Sequence, residues 1–206
     1  MKNNDALAEV RAIAFYLPQF HPIPENDQWW GKGFTEWTNT TKARPLYDGH
    51  YQPRLPADLG FYDLRLEEVR IAQAELAKQY GIHGFCYYYY WFKDGKKLLN
   101  QPIEAVLASQ KPDFPFCVCW VNESWTRRWG GEDSSILMQQ DFSTETCTSL
   151  IRELAPYFLD PRYIRVNDKP LFLIYRTDEF PDLTASIAAI RDEARRSAGV
   201  ELYVVC

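Results

Sequence analysis

Trp120-Val121-Asn122-Glu123-Ser124-Trp125-Thr126-Arg127-Arg128-Trp129 sets one carboxylate and one amide among three tryptophans and two arginines. Aromatic faces suit the C–H faces of sugar rings, while Asn, Glu and Arg suit hydroxyls and phosphates. The apolar run Phe114-Pro115-Phe116-Cys117-Val118-Cys119 just before it reads as a buried strand. A strand that ends in this mixture has the makings of a carbohydrate site rather than of a core.

Glu123 is the first catalytic candidate, since partial burial among tryptophans would raise its pKa toward that of a working acid or base. Its bland alternative is a loop-ordering ion pair with Arg127 or Arg128. Chemistry on glycosidic bonds normally needs two carboxylates. Glu36, in Gly33-Phe34-Thr35-Glu36-Trp37, is the best second one, against a plain solvated loop acid. Asn122 either holds a sugar hydroxyl or fixes a turn. Arg127 and Arg128 either grip the diphosphate of a nucleotide sugar through bidentate bonds or neutralise Glu123 and Glu132.

Trp29, Trp30, Trp37, Trp91, Trp125 and Trp129 are stacking candidates, each with core packing as its alternative. His21 and His50 bind substrate, or are structural histidines. Tyr88 and Tyr90 share one strand face and reach a barrel mouth or pack its interior.

The elements that must position these groups alternate. Residues 11–17, 82–90, 115–121, 170–175 and 202–205 read as strands. Amphipathic helices lie between them, with Val69, Ala72, Leu76 and Tyr80 inward on the first and a second over 98–109. Leu150, Ile151, Leu154 and Phe158 face inward on the third, and Leu183, Ile187, Ile190 and Ala194 on the last. Asp182 caps that last helix and Gly199 closes it. A long Pro-, Gly- and Trp-rich loop runs from His21 to about Pro56; loops of that length are usually functional.

Strict strand–helix alternation predicts a parallel α/β architecture. A doubly wound sheet would want a glycine-rich turn after an early strand, and Pro18-Gln19-Phe20-His21-Pro22 stands there instead. A (β/α) TIM-type barrel places chemistry on the loops after its strands, where Glu123 and the aromatics collect. Such barrels typically run to about 250 residues. The expectation is one barrel domain over residues 1–206, truncated after about five strands, with an open edge prone to self-association.

Composition excludes some functions. A net charge of −5 carries no broad electrostatic footprint for nucleic acid. No apolar run reaches the roughly 18 residues of a membrane span. The start Met1-Lys2-Asn3-Asn4-Asp5 leads into no secretory signal, so the chain is expected in the cytoplasm with its thiols reduced. Cys117, Cys119 and Cys86 lack the second spaced Cys/His pair of a metal site, so no metal or cofactor is expected and buried thiols are the better reading.

Long ordered motifs carry a resemblance. They are residues 15–27 (Phe15-Tyr16-Leu17-Pro18-Gln19-Phe20-His21-Pro22 onward), 29–39, 49–53, 84–92, 120–129 and Asp160-Pro161-Arg162-Tyr163-Ile164. Together they resemble the WbsX-like glycosyltransferases, also described as glycoside hydrolase family 99-like domains. The resemblance implies a (β/α) barrel that acts on glycan or nucleotide-sugar substrates, encoded with bacterial O-antigen and surface polysaccharide genes. The family often has a histidine in the tyrosine run and Asn-Glu-Asn where Asn122-Glu123-Ser124 stands here. Its later Trp-Asn-Glu-Trp-like motif is absent. The alternative is a non-catalytic sugar-binding fragment or relic, and the isolated chain is expected to be inactive on glycans.

Overall fold

The computed structural model describes residues 10–127 and 135–206. In chain order the elements open with β1 (Ala12–Tyr16), α1 (Pro24–Trp30), α2 (Glu36–Lys42), α3 (Glu67–Gln79) and β2 (Ile82–Trp91). They continue with β3 (Lys97–Leu98), α4 (Gln101–Ser109), β4 (Phe116–Trp120), β5 (Trp125–Thr126), β6 (Ile136–Met138) and α5 (Thr144–Phe158). The last are β7 (Arg165–Val166), β8 (Lys169–Ile174), α6 (Leu183–Ala198) and β9 (Tyr203–Val205).

The main strands pair in parallel in the order β1-β2-β4-β8-β9. This is chain order with no reversal, whereas a doubly wound sheet reverses about its first strand.

Register divides the side chains into two faces, because successive residues alternate. Tyr16, Tyr87, Val118, Phe172 and Val204 form one row across the sheet. The first four are buried, in one cluster with Ala74, Ile103, Val106, Leu150, Leu154 and Ile190 from the helices. The Tyr16 hydroxyl reaches Gln73 of α3 on this face. The opposite row runs Phe15, Cys86, Cys117, then Cys119, Leu173 and Val205. Its middle is buried, but Phe15 stays 60% exposed, with Tyr175, Tyr203 and Val205 also open to solvent. One face therefore builds the core against helices, and the other is an apolar surface over buried thiols.

Local chemistry explains the helix ends. The Ser143 hydroxyl accepts from the Thr146 N–H to start α5, and Asp182 accepts from the Ala185 N–H to start α6. Gly199 closes α6 at φ +66°, a left-handed conformation that glycine adopts without cost.

The structure corrects three expectations. The stretch after β1 is not loop throughout. Pro24 opens α1, and Thr35 and Thr38 form a reciprocal capping box at the start of α2. The second helix begins at Gln101, because Lys97–Leu98 pairs back onto β2 and Leu99 sits at φ +57°. Tyr80 does not face the core: α3 ends at Gln79, its fully buried positions are Arg70 and Ala74, and Tyr80 is exposed.

Four of the cysteines are buried and Cys206 is exposed, all as free thiols. Burial pushes the Cys147 thiol up to about 11. Among the described residues no group of three His, Cys, Asp or Glu side chains could hold a metal ion.

Gly84 is fixed by space. A Cβ there would lie 2.5 Å from the Pro115 carbonyl oxygen and 2.9 Å from Ile164 Cδ1, while the neighbouring Phe85 N–H donates to that same carbonyl. Backbone cannot step aside without breaking the β2–β4 ladder. Gly84→Ala is expected to destabilise by about 1–3 kcal/mol, the usual range for overpacking, measured by urea unfolding.

Candidate active site

The carboxyl ends of the strands surround a cavity of about 590 Å³. Leu17 and Gln19 enter it just after β1, Tyr90 from the end of β2, Val121 and Glu123 just after β4, and Arg176 just after β8. Trp30 of α1 and Glu36 of α2 come from the connection between β1 and α3. Trp125, Thr126 and Leu137 belong to the antiparallel pair β5 and β6. Parallel strands point all their carboxyl ends one way, so residues far apart in sequence meet at one mouth.

Glu36 sits at the first position of α2. Its backbone N–H donates to the Gln19 carbonyl at 3.0 Å, which ties the helix to the loop after β1. Burial alone raises the pKa of its carboxyl. Glu123 has a different environment: its carboxylate accepts a 2.8 Å hydrogen bond from the Arg176 guanidinium, and both side chains are more than a third exposed. The two carboxylates that line the cavity thus differ, one desolvated and one paired with a cation.

Trp125 is held edge-on by Tyr90, Trp29 and Phe92 at centroid distances of 5.1, 5.9 and 6.1 Å. Such T-shaped packing fixes the indole plane. Burial first, then Tyr88 and Glu36, push the Tyr90 phenol upward, so it stays a hydrogen-bond donor at the cavity wall. Tyr88 lies on the exposed sheet face between Phe15 and Tyr175, outside the cavity lining. Its phenol is also raised, by burial, then Tyr175, two thiols and Glu123.

Several sequence candidates fall elsewhere. Asn122 is fully buried: its amide donates to the Arg176 carbonyl, and its oxygen accepts from the Arg176 N–H at 2.8 Å. That reciprocal pair stitches the end of β4 to the end of β8 and leaves little of the amide for a sugar. His21 is also fully buried, its pKa lowered chiefly by that burial, and it does not line the cavity. Trp37 packs on Phe20, Phe61 and Tyr62 and donates its indole N–H to the Tyr62 carbonyl.

His50 stacks on Tyr47 at 4.6 Å and accepts from the Leu46 N–H, again outside the lining. Trp91 is a core residue whose carbonyl accepts from Trp120. Arg127 is exposed, with its backbone N–H on the Ser135 carbonyl, and Glu123 pairs with Arg176 instead. Arg128 and Trp129 lie outside the described residues.

Arg176, Gln19 and Glu179 line the cavity and escaped the sequence reading. Arg176 was findable: it lies two residues past a strand read correctly, where the rule that placed Glu123 applies equally.

The family model of the glycosyltransferase WbsX family matches residues 12–206. The chain belongs to that family. The uncharacterized protein WxcX, from two strains of Xanthomonas campestris pv. campestris, is 49% identical over 192 residues. That match covers 93% of this chain and 28% of WxcX, so the chain spans under a third of these relatives.

Among solved structures, a glycoside hydrolase-like protein shares the fold with TM-score 0.54 and 15% identity, over 94% of this chain and 50% of the other. The GH99 endo-alpha-mannosidase from Bacteroides thetaiotaomicron aligns at TM-score 0.46 and 17% identity, over 80% of this chain and 44% of the enzyme.

Proposed function

We propose that this chain carries the glycan site of a carbohydrate-active protein, working by glycosyl transfer or glycosidic bond cleavage in bacterial surface polysaccharide (O-antigen or lipopolysaccharide) synthesis in the cytoplasm. One observation carries the reading: Glu36 and Glu123, from two separate segments, line the same cavity with Trp30, Tyr90 and Trp125. In this proposal the strands are an arc of a (β/α) barrel, whose loops after the strands form the site.

Two carboxyls in different environments, one buried and one ion-paired, can take different roles. Glu36, raised by burial, keeps its proton closer to neutrality and acts as the general acid on the leaving oxygen. Glu123, ion-paired with Arg176, acts as base or nucleophile. Trp125 presents its locked indole face to the sugar ring, and the Tyr90 hydroxyl donates to a ring substituent. Arg128 and Trp129 remain part of the proposal as substrate contacts.

With both carboxylates in one cavity, this reading gives the chain its own acid and base, and so departs from the expectation that the isolated chain is inactive and from the alternative of a sugar-binding relic. Self-association is also part of it, since Phe15, Tyr175, Tyr203 and Val205 leave an apolar sheet face open.

Tryptophan fluorescence titration with neutral oligosaccharides tests the site. Trp125→Ala is expected to weaken binding about tenfold, a loss near the 0.5–1.5 kcal/mol range of an aromatic contact. Tyr80→Ser, at the exposed end of α3, is expected to leave affinity unchanged. Equal binding by wild type and Trp125→Ala would place the sugar elsewhere.

A further inference from the structure

Among the described residues that line the cavity, the charged groups are Glu36, Glu123 and Glu179 on one side and Arg176 on the other. Arg176 is already committed. It donates to Glu123 at 2.8 Å and to Asp178 through Nε at 2.8 Å, with Glu179 at 3.4 Å. Hydrogen bonds to Asp178 first, then to Glu123, raise its pKa, so it stays a cation occupied by three carboxylates. Even with Glu36 protonated, two lining carboxylates face one engaged guanidinium. Arg127, the other arginine of the Trp-rich motif that is described, is exposed and stands outside the lining.

A second observation points to a ligand at the same place. Gln19 lines the cavity at 7% exposure, and among the described residues its side-chain amide has no hydrogen-bond partner. An amide offers both a donor and an acceptor to a ligand in the cavity. A neutral amide of that kind reads hydroxyl or amine groups.

We infer that the cavity selects its sugar by charge: it takes a neutral or amino-bearing sugar residue, read by Gln19, and disfavours uronic acids. The inference rests on the cavity being the glycan site. A uronate held there would face the described carboxylates, whose one described guanidinium is already engaged. Unit charges about 4 Å apart interact by roughly 1–4 kcal/mol between bulk water and a protein surface, enough for a tenfold preference.

The test is a matched series on the 206-residue chain. Amino sugar, neutral sugar and uronic acid of one ring configuration are titrated by tryptophan fluorescence or ligand-observed NMR. The gluco, manno and galacto series are each compared internally. The amino or neutral member is expected to bind about tenfold more tightly than the uronic acid at low salt. The preference is expected to shrink as salt rises, because these carboxylates are partly solvated. Glu179→Gln, at a surface position, is expected to narrow it severalfold, and Gln19→Leu to weaken the neutral sugar.

Equal or tighter binding of the uronic acid, with neutral binding still dependent on Trp125, overturns the charge inference alone. Neutral binding that ignores Trp125, or no sugar binding at all, overturns the site reading and the inference with it.

Discussion

Replacing Glu36 by glutamine is expected to lower turnover of a bound glycan by about 10²–10⁴-fold, the usual contribution of general acid–base catalysis, and to stabilise the fold at neutral pH. The two effects share one cause. Burial raises the Glu36 pKa, so the folded state holds the proton more tightly than the unfolded chain does. The stability that protonation contributes is fully present below the unfolded glutamate value of about 4.3, and it is lost as pH rises through the raised folded value. Glutamine is neutral throughout and never loses it.

The variant should therefore melt with wild type at acid pH and above it at pH 7. Thermal melts across that range, read beside turnover, check both halves. A variant no more stable than wild type at pH 7 contradicts the desolvated environment. Full turnover contradicts the acid role. Gain of stability with loss of function is what a group held at a cost for chemistry should show.

The second large effect lies below the site, where α5 ends. Asp160 and Arg162 form a buried pair, with side chains 1% and 8% exposed. The carboxylate accepts from the Arg162 Nε at 2.9 Å, its Nη2 at 2.6 Å, its backbone N–H at 2.9 Å and the Gln110 amide at 3.2 Å. The guanidinium also donates to the Pro112 and Val106 carbonyls, at 3.0 and 3.1 Å, which joins the end of α4 to the start of β4. Asp160→Ala leaves that cation buried without its counter-charge, at an expected cost of about 3–5 kcal/mol. That is a large part of the usual 5–15 kcal/mol total.

The pH dependence has the opposite sign to that of Glu36. Burial alone would raise the Asp160 pKa, but its bonds to Arg162, the Arg162 charge and Gln110 outweigh this and hold it below the ordinary range. The stabilisation is present above the unfolded aspartate value of about 3.9 and is lost as pH falls through the folded one. Urea midpoints of wild type and Asp160→Ala should therefore converge as the solution is acidified. A constant difference would show that the loss is packing rather than charge.

The parallel sheet was legible because hydrophobic periodicity reports burial. Residues 115–121 and 170–175 are nearly unbroken apolar runs, and the inward positions of α5, Leu150, Ile151, Leu154 and Phe158, are all buried. Tyr80 misled because an aromatic at helical spacing looks the same whether or not the helix has ended; Gly81 at φ +75° marked the exit one residue later. The helices α1 and α2 were hidden by their shortness, seven residues each, where capping rather than periodicity sets the structure.

Of the cavity lining, Glu123, Trp125 and Tyr90 were legible as polar and aromatic residues at strand ends, and Glu36 and Trp30 as residues of the long connection after β1. Partner choice was not. Arg127 neighbours Glu123 in sequence, yet Arg176 reaches it, because adjacent parallel strands β4 and β8 bring their ends together. Asn122 likewise reads as a polar contact residue until the fold shows its amide spent on the Arg176 backbone.

The most direct test is the crystal structure of the 206-residue chain soaked with the tightest-binding neutral oligosaccharide. The ring is expected between Glu36 and Glu123, stacked on Trp125, with the Gln19 amide bonded to a hydroxyl and Arg176 still on Glu123. A sugar bound elsewhere, or one whose contacts omit both carboxylates, would contradict the proposed site.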